Sequence, residues 1–168
     1  GTIKAEGAKS IGYVMLSGAG SNTGTIQVIG HDDNKITTSP GTTKENYDGS
    51  LGFYGVKGKF DNTGTIKTEG NLAHAVVLKQ TNPRSKDDKD NMIFNHYGEI
   101  DVTSPDGSAP NKKTGNIGVF SDGEALANFY GGSKIYVGDD SIGIHTSKRD
   151  AFNATFKNLG TLKIKIGA

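Results

Sequence analysis

One phrase recurs along this chain and limits its fold more than any other feature of the sequence. NTGTIQVIG starts at Asn22 and NTGTIKTEG at Asn62. Looser copies are GTIKAEG at Gly1, HYGEIDVTS at His96, GGSKIYVG at Gly131 and NLGTLKIKIG at Asn158. A second segment follows each of the first five: SIGYVM, SLGFYG, NLAHAV, NIGVFS and SIGIHT. A third, with phenylalanines at Phe60, Phe94, Phe129 and Phe156, precedes the next turn. The segments keep their length while the stretches between them vary. Thus 23 residues separate Thr2 from Thr25, and 40 separate Thr25 from Thr65. Repeats of this kind, each too small to bury its own apolar face, are the mark of a solenoid.

Each segment alternates apolar and polar residues with period two, as half-buried strands do. In the first, the inward row is Ile3, Ile26, Ile66, Ile100, Ile135 and Leu162, followed two residues on by Ala5, Val28, Thr68, Val102, Val137 and Ile164. In the second, the inward row is Ile11, Leu51, Leu72, Ile117 and Ile142, followed by Tyr13, Phe53, His74, Val119 and Ile144. Stacking like on like at the strand spacing of ~4.8 Å gives one core column per row. The fold class is therefore all-β: a right-handed, single-stranded parallel β-helix with three sides and about five to six rungs. The hand follows from the usual right-handed crossover. A left-handed hexapeptide coil lacks its six-residue period here, a calcium-binding roll lacks GGxGxD, and leucine is too sparse for leucine-rich repeats.

Composition agrees with a thin core and much loop: 33% of the 168 residues are hydrophobic, and 25 are glycine. Gly24, Gly64, Gly98 and Gly160 stand where the chain turns into the first strand. Gly12, Gly52, Ala73, Gly118 and Gly143 mark a place where backbones or facing sheets come close. Asn22, Asn62 and Asn158 hold equivalent turn positions, with His96 and Gly131 in the other copies. They read either as a hydrogen-bonded ladder between rungs or as ordinary turn asparagines. The net charge of +1 gives no pull towards nucleic acid. Cysteine is absent, so packing and backbone hydrogen bonds carry the stability. No apolar run approaches about 18 residues, the length of a membrane-spanning helix. The chain opens at GTIKAEG and closes at GTLKIKIG, so residues 1–168 read as one β-helix fragment of a longer protein. Loops at about 31–49, 79–91, 104–115 and 147–154 are rich in Asp, Asn, Lys, Pro, Gly, Ser and Thr. They read as tolerated surface elaborations or as the seat of function.

The candidate chemistry is sparse. Asp87, Asp88 and Asp90 are interleaved with Arg84, Lys86 and Lys89, cations that compete with a metal for the carboxylates. Asp32 and Asp33 beside His31, and Asp139 with Asp140, read as solvated or turn residues. The four histidines do not cluster. His74 is expected inward between Phe53 and Val119, as a neutral imidazole with one backbone partner; His145 is expected outward. The outward row of the first strand is Lys4, Gln27, Lys67, Asp101, Tyr136 and Lys163, with no column of carboxylates such as a glycoside-cleaving solenoid uses. No catalytic residue, metal site or cofactor is expected. One outward row, Val14, Tyr54, Ala75, Phe120 and His145, is less polar than its position warrants. Exposed aromatics in a row bind sugar rings or a partner protein; the other reading is that an insertion covers them. Tyr54, Phe120 and His145 are the candidate binding residues. Asn153-Ala154-Thr155 is a glycosylation sequon only in a host that glycosylates it.

The repeated NTGTI and SIG phrases, with no cysteine and much Gly, Thr and Asn, resemble the passenger regions of type V bacterial autotransporters, most of all the large fusobacterial adhesins of the arginine-inhibitable kind. The resemblance covers nearly the whole chain. It implies a passenger displayed outside the outer membrane, anchored through a C-terminal β-barrel that is not part of this sequence. It also implies attachment to other bacteria or host cells and a part in virulence, with a surface protein or glycan as partner. The fragment itself is expected to be a monomer and not an enzyme. No binding residue carries over, because no binding motif is recognisable. The alternatives are a carbohydrate-processing β-helix enzyme, such as a lyase or tailspike, and a purely structural stalk spacer.

Overall fold

The computed structural model describes residues 1–30, 49–70, 72–80, 82–103, 115–138, 141–147, 155–159 and 163–166, the last two segments as backbone only. It is a parallel β-helix. The first rung is β1 (Thr2–Glu6), β2 (Ile11–Met15) and β3 (Ala19–Asn22). The second is β4 (Thr25–Ile29), β5 (Ser50–Gly55) and β6 (Gly58–Asn62). The third is β7 (Thr65–Glu69), β8 (Ala73–Gln80) and β9 (Met92–His96). The fourth is β10 (Glu99–Val102), β11 (Ile117–Gly123) and β12 (Leu126–Tyr130). The fifth is β13 (Lys134–Val137), β14 (Ile142–Ser147) and β15 (Thr155–Leu159), and β16 (Lys163–Ile166) begins another winding. Three parallel sheets result. The first runs β1-β4-β7-β10-β13-β16, the second β2-β5-β8-β11-β14 and the third β3-β6-β9-β12-β15.

The first sheet stacks as its sequence dictates. Ile3, Ile26, Ile66, Ile100 and Ile135 form one row, and Val28 lies beside Thr68 in the next. Inside, Ile26, Ile66, Ile100 and Ile135 join Phe53, Phe60, Phe94 and Phe129 in a single buried cluster. Phe53 and Phe60, from two sheets of one rung, stack with centroids 4.1 Å apart. Such contacts fill the narrow interior.

Four rows differ from the sequence expectation, three of them by a shift of two residues. Ile135 pairs with Ile164 and Val137 with Ile166, so Ile164 takes the place expected for Leu162, which lies outside the described residues. Lys163 likewise pairs with Lys134, and Lys165 faces Tyr136. In the third rung, Leu51 pairs with His74, Phe53 with Val76 and Tyr54 with Val77. Leu72 and Ala75 therefore do not hold the places expected for them. In the third sheet, Phe94 pairs with Ala127, and His96 with Phe129. Phe129 thus leaves the phenylalanine row for the asparagine row, where Gly131 was expected. The exchange conserves volume, since small Ala127 and large Phe129 are both buried in the core. All three slips are even, and Phe129 keeps its side of the sheet; His74, expected inward, instead joins the Leu51 row, and Ala75, expected outward, enters the core.

The fourth difference concerns direction. Leu51 and Ile117 do not enter the main core but join Val77 and Phe120 in a separate apolar cluster, with Tyr54 packed against it. The glycines that follow face inward instead. A Cβ on Gly12 would meet Ile26, one on Gly52 would meet Ile66, and one on Gly118 would meet Ile135. Phe53, next in the chain, also enters the core. Two successive residues thus point inward and the pleat is broken at the glycine, which the alternating pattern did not reveal. At the end rungs, Ile11 and Ile142 of the same row are exposed.

Candidate functional site

Every wide connection borders the second sheet. Residues 30–49 and 103–116 join first-sheet to second-sheet strands, and 81–91 and 148–154 join second-sheet to third-sheet strands. Among the described residues the return from the third sheet is tight: two residues in the first three rungs, Thr23-Gly24, Thr63-Gly64 and Tyr97-Gly98, and three, 131–133, in the fourth. Glycine enforces this. A Cβ at Gly64 would strike the carbonyl oxygen of Gly24, and one at Gly98 that of Gly64. The strands limit the insertions more narrowly than the sequence suggested, because β8 runs through Lys79 to Gln80 and β14 through Ser147.

The structure places Tyr54, Phe120 and His145 in one outer row of the second sheet, with Val77 between the first two. Phe120 and His145 meet edge to face at 5.2 Å. The row is not an open aromatic platform, however. Phe120 is only 2% exposed, and Val77, Leu51 and Ile117 are buried with it. Tyr54 is half-buried; burial and then the charge of Asp122 push its phenol upward. Val14, in the first rung of the row, is exposed. His74 sits in the neighbouring Leu51 row, where its Nδ1 accepts the Ile117 N–H at 3.1 Å. Burial, then the charge of His145, lowers its pKa to about 4, which keeps it neutral as expected.

The insertion at 82–91 is built on amide side chains. Gln80 Nε2 donates to Asn91 Oδ1 at 3.1 Å, and Gln80 Oε1 accepts the Met92 N–H at 2.7 Å. Asn91 also accepts the Ser85 N–H and donates to the Ser85 carbonyl, both at 2.8 Å. Asp90 pairs with Lys57 at 2.6 Å, Asp87 with Lys89 at 2.8 Å, and Arg84 reaches the Glu124 carbonyl at 3.2 Å. These acids are thus tied to cations, and no group of three metal-ligating side chains occurs among the described residues. Asp101 is engaged by its own turn, accepting from the Thr103 N–H and hydroxyl. His31, Asp32, Asp33, Asp139 and Asp140 lie outside the described residues.

The third sheet carries two ladders. Inside, Asn22 Nδ2 donates to Asn62 Oδ1 at 2.8 Å, Asn62 Nδ2 lies 3.0 Å from His96 Nδ1, and His96 Nε2 lies 3.2 Å from the Lys134 carbonyl. The asparagine ladder is therefore real, with a histidine as its third member. Outside, Asn128 Nδ2 donates to Asn95 Oδ1 at 2.8 Å, and Asn95 Nδ2 to Asp61 Oδ1 at 2.7 Å. Tyr97 and Tyr130, two residues beyond Asn95 and Asn128, stack at 4.2 Å with planes 11° apart. Sequence reasoning missed this outer face. The polar residue after Phe60 and Phe94 was the available signal, and the slip at Phe129 hid its third member. A scan against protein-family models, a search of curated proteins and a search of solved structures each found no match.

Proposed function

We propose that this chain is part of the passenger of a bacterial autotransporter and acts as an adhesin at the cell surface, attaching to other bacteria or host cells through its insertions or an outer face of the solenoid. The observation that carries this reading is the placement of every wide connection on the two corners bordering the second sheet, while the third corner stays closed. A stacked solenoid is a stiff rod, and variable loops along one side of a rod suit display better than turnover. The passenger-like repeat phrase points the same way and adds the extracellular, outer-membrane-anchored location. Display of the chain on a non-adherent bacterium tests it, with 82–90, 31–48 and 104–114 shortened one at a time. Attachment should rise on display and fall in at least one shortened form. Equal attachment in every form would favour a plain spacer. Turnover of an acidic polysaccharide, abolished by a single acid-to-amide change, would replace the adhesin with an enzyme.

A further inference from the structure

The outer face of the third sheet holds two groups locked in place and turned to solvent. Tyr97 is 41% exposed although one ring face is taken by Tyr130. Tyr130 lies one rung above, so the free face of Tyr97 looks down across Thr63, which is small and exposed. The backbone fixes this alignment, because the Tyr97 and Gly98 N–H groups both donate to the Asn62 carbonyl. Beside it, Asp61 terminates the chain of amides from Asn128 through Asn95. Each donor in that chain points down the axis, so Asp61 Oδ1 is held and Oδ2 is left to a loose contact with exposed Lys59 at 3.6 Å. Asp61 is near enough to Tyr97 for its charge to push the phenol upward, after burial and the Tyr130 hydroxyl.

We propose that Tyr97, Asp61 and Thr63 form a subsite for a neutral pyranose ring at the outer face of the third sheet. The chemistry fits on three counts. The free tyrosine face matches the C–H face of a pyranose, as aromatic platforms do for flat apolar surfaces. The carboxylate accepts hydroxyl hydrogen bonds, and charge makes them about twice as strong as neutral ones. Both groups are held by neighbours, so little freedom is lost on binding. Asp61 disfavours acidic sugars. This subsite rests on the adhesin reading and gives it a ligand class, a glycan, and a position away from the insertions.

The test is a two-dimensional NMR titration of the whole chain with methyl hexopyranosides, a sialoside and an ammonium salt. Neutral pyranosides should shift the resonances of Asp61, Thr63 and Tyr97 at millimolar concentration, and the sialoside should bind more weakly. Tyr97→Ala and Asp61→Asn should each weaken binding by about tenfold or more, while Tyr97→Phe retains most of it. Absence of saturable shifts, shifts centred elsewhere, or a preference for the ammonium ion would each overturn the subsite. Because binding is mapped on the wild type itself, the titration remains decisive even where a variant folds poorly. Attachment of displayed cells that survives Tyr97→Ala, with no pyranoside binding, would remove the subsite and leave the adhesin reading standing.

Discussion

Two interior residues show what the rungs tolerate. Thr68 stands in the row of Val28, fully buried, and its hydroxyl has no hydrogen-bond partner. Such a group loses its water without compensation. Thr68→Val keeps the shape and removes the cost, and should raise the unfolding free energy by about 1 kcal/mol in a urea titration; a loss of stability would show that the hydroxyl is satisfied. His96 is the second case. Burial drives its pKa down to about 4, against the opposing pull of the Lys134 carbonyl and the charge of Glu99. His74 is lowered to a similar value. In the unfolded chain both titrate near 6.5. Their contribution to stability is therefore complete above pH 6.5 and is lost as the pH falls from there towards about 4. Each histidine adds a slope of roughly 1.4 kcal/mol per pH unit in that window. His96→Asn continues the Asn22–Asn62 ladder without a titrating group. Urea midpoints measured from pH 7 to 4.5 should fall less steeply in this variant than in the wild type, and parallel curves would assign the acid sensitivity elsewhere.

Strands whose inner residues face one another across a narrow lumen need gaps as well as bulk. Gly52 provides one, since a Cβ there would lie 2.5 Å from the Ala75 carbonyl oxygen and 2.7 Å from Ile66 Cγ2. Backbone cannot yield as a side chain does, so Gly52→Val should cost about 3 kcal/mol or more. Ala75→Gly, in the same row, should cost only about 1 kcal/mol. Thermal melts of the two variants decide the matter, and similar small shifts would mean that the corner is looser than it looks. This corner also shows what the sequence could disclose. The rows Ile26-Ile66-Ile100-Ile135 and the rung count were readable, because period-two alternation and like-on-like stacking are both local patterns. The side of the sheet survived where Phe129 slid by two, since parity is set by burial, whereas His74 and Ala75 changed sides because the pleat breaks at the glycine corner. The extent of a slide is set by turn geometry and by volume exchange, as between Ala127 and Phe129, and neither appears in one strand alone. The inward Gly52 was hidden for a related reason: a broken pleat mimics the alternation around it. For the candidate site, the row of Tyr54, Phe120 and His145 was foreseen, with an open and a covered reading of it; the packing of Leu51 and Ile117 against Phe120 was not. Burial there depends on the neighbouring row, Leu51 and Ile117, having turned outward.

A solenoid gains stability mainly from contacts between adjacent rungs, so a rung with two neighbours is held more firmly than one with a single neighbour. The third rung lies between two fully stacked ones, with Phe53, Phe60 and Phe94 in ring contact across the step below it. Among the described residues the first rung has one neighbour. β1, β2 and β3 each pair on one side only, and Ile3, Ile11 and Leu16 are exposed by 43%, 41% and 67%. Unpaired strand edges and exposed aliphatic side chains both lower the free energy of local opening. Native-state hydrogen exchange read by mass spectrometry should therefore grade along the axis. Peptides from 1–22 should exchange about tenfold faster or more than those from 73–80 and 92–96, a difference of at least about 1.4 kcal/mol in opening free energy. Appending one further rung of the NTGTI type ahead of Thr2, with a polar outer end, should slow exchange in 1–22 and leave 73–96 nearly unchanged, because each rung senses only its neighbours. Uniform protection along the chain, or an equal gain in every peptide, would mean that the solenoid unfolds as one cooperative block and that its ends contribute as much as its middle.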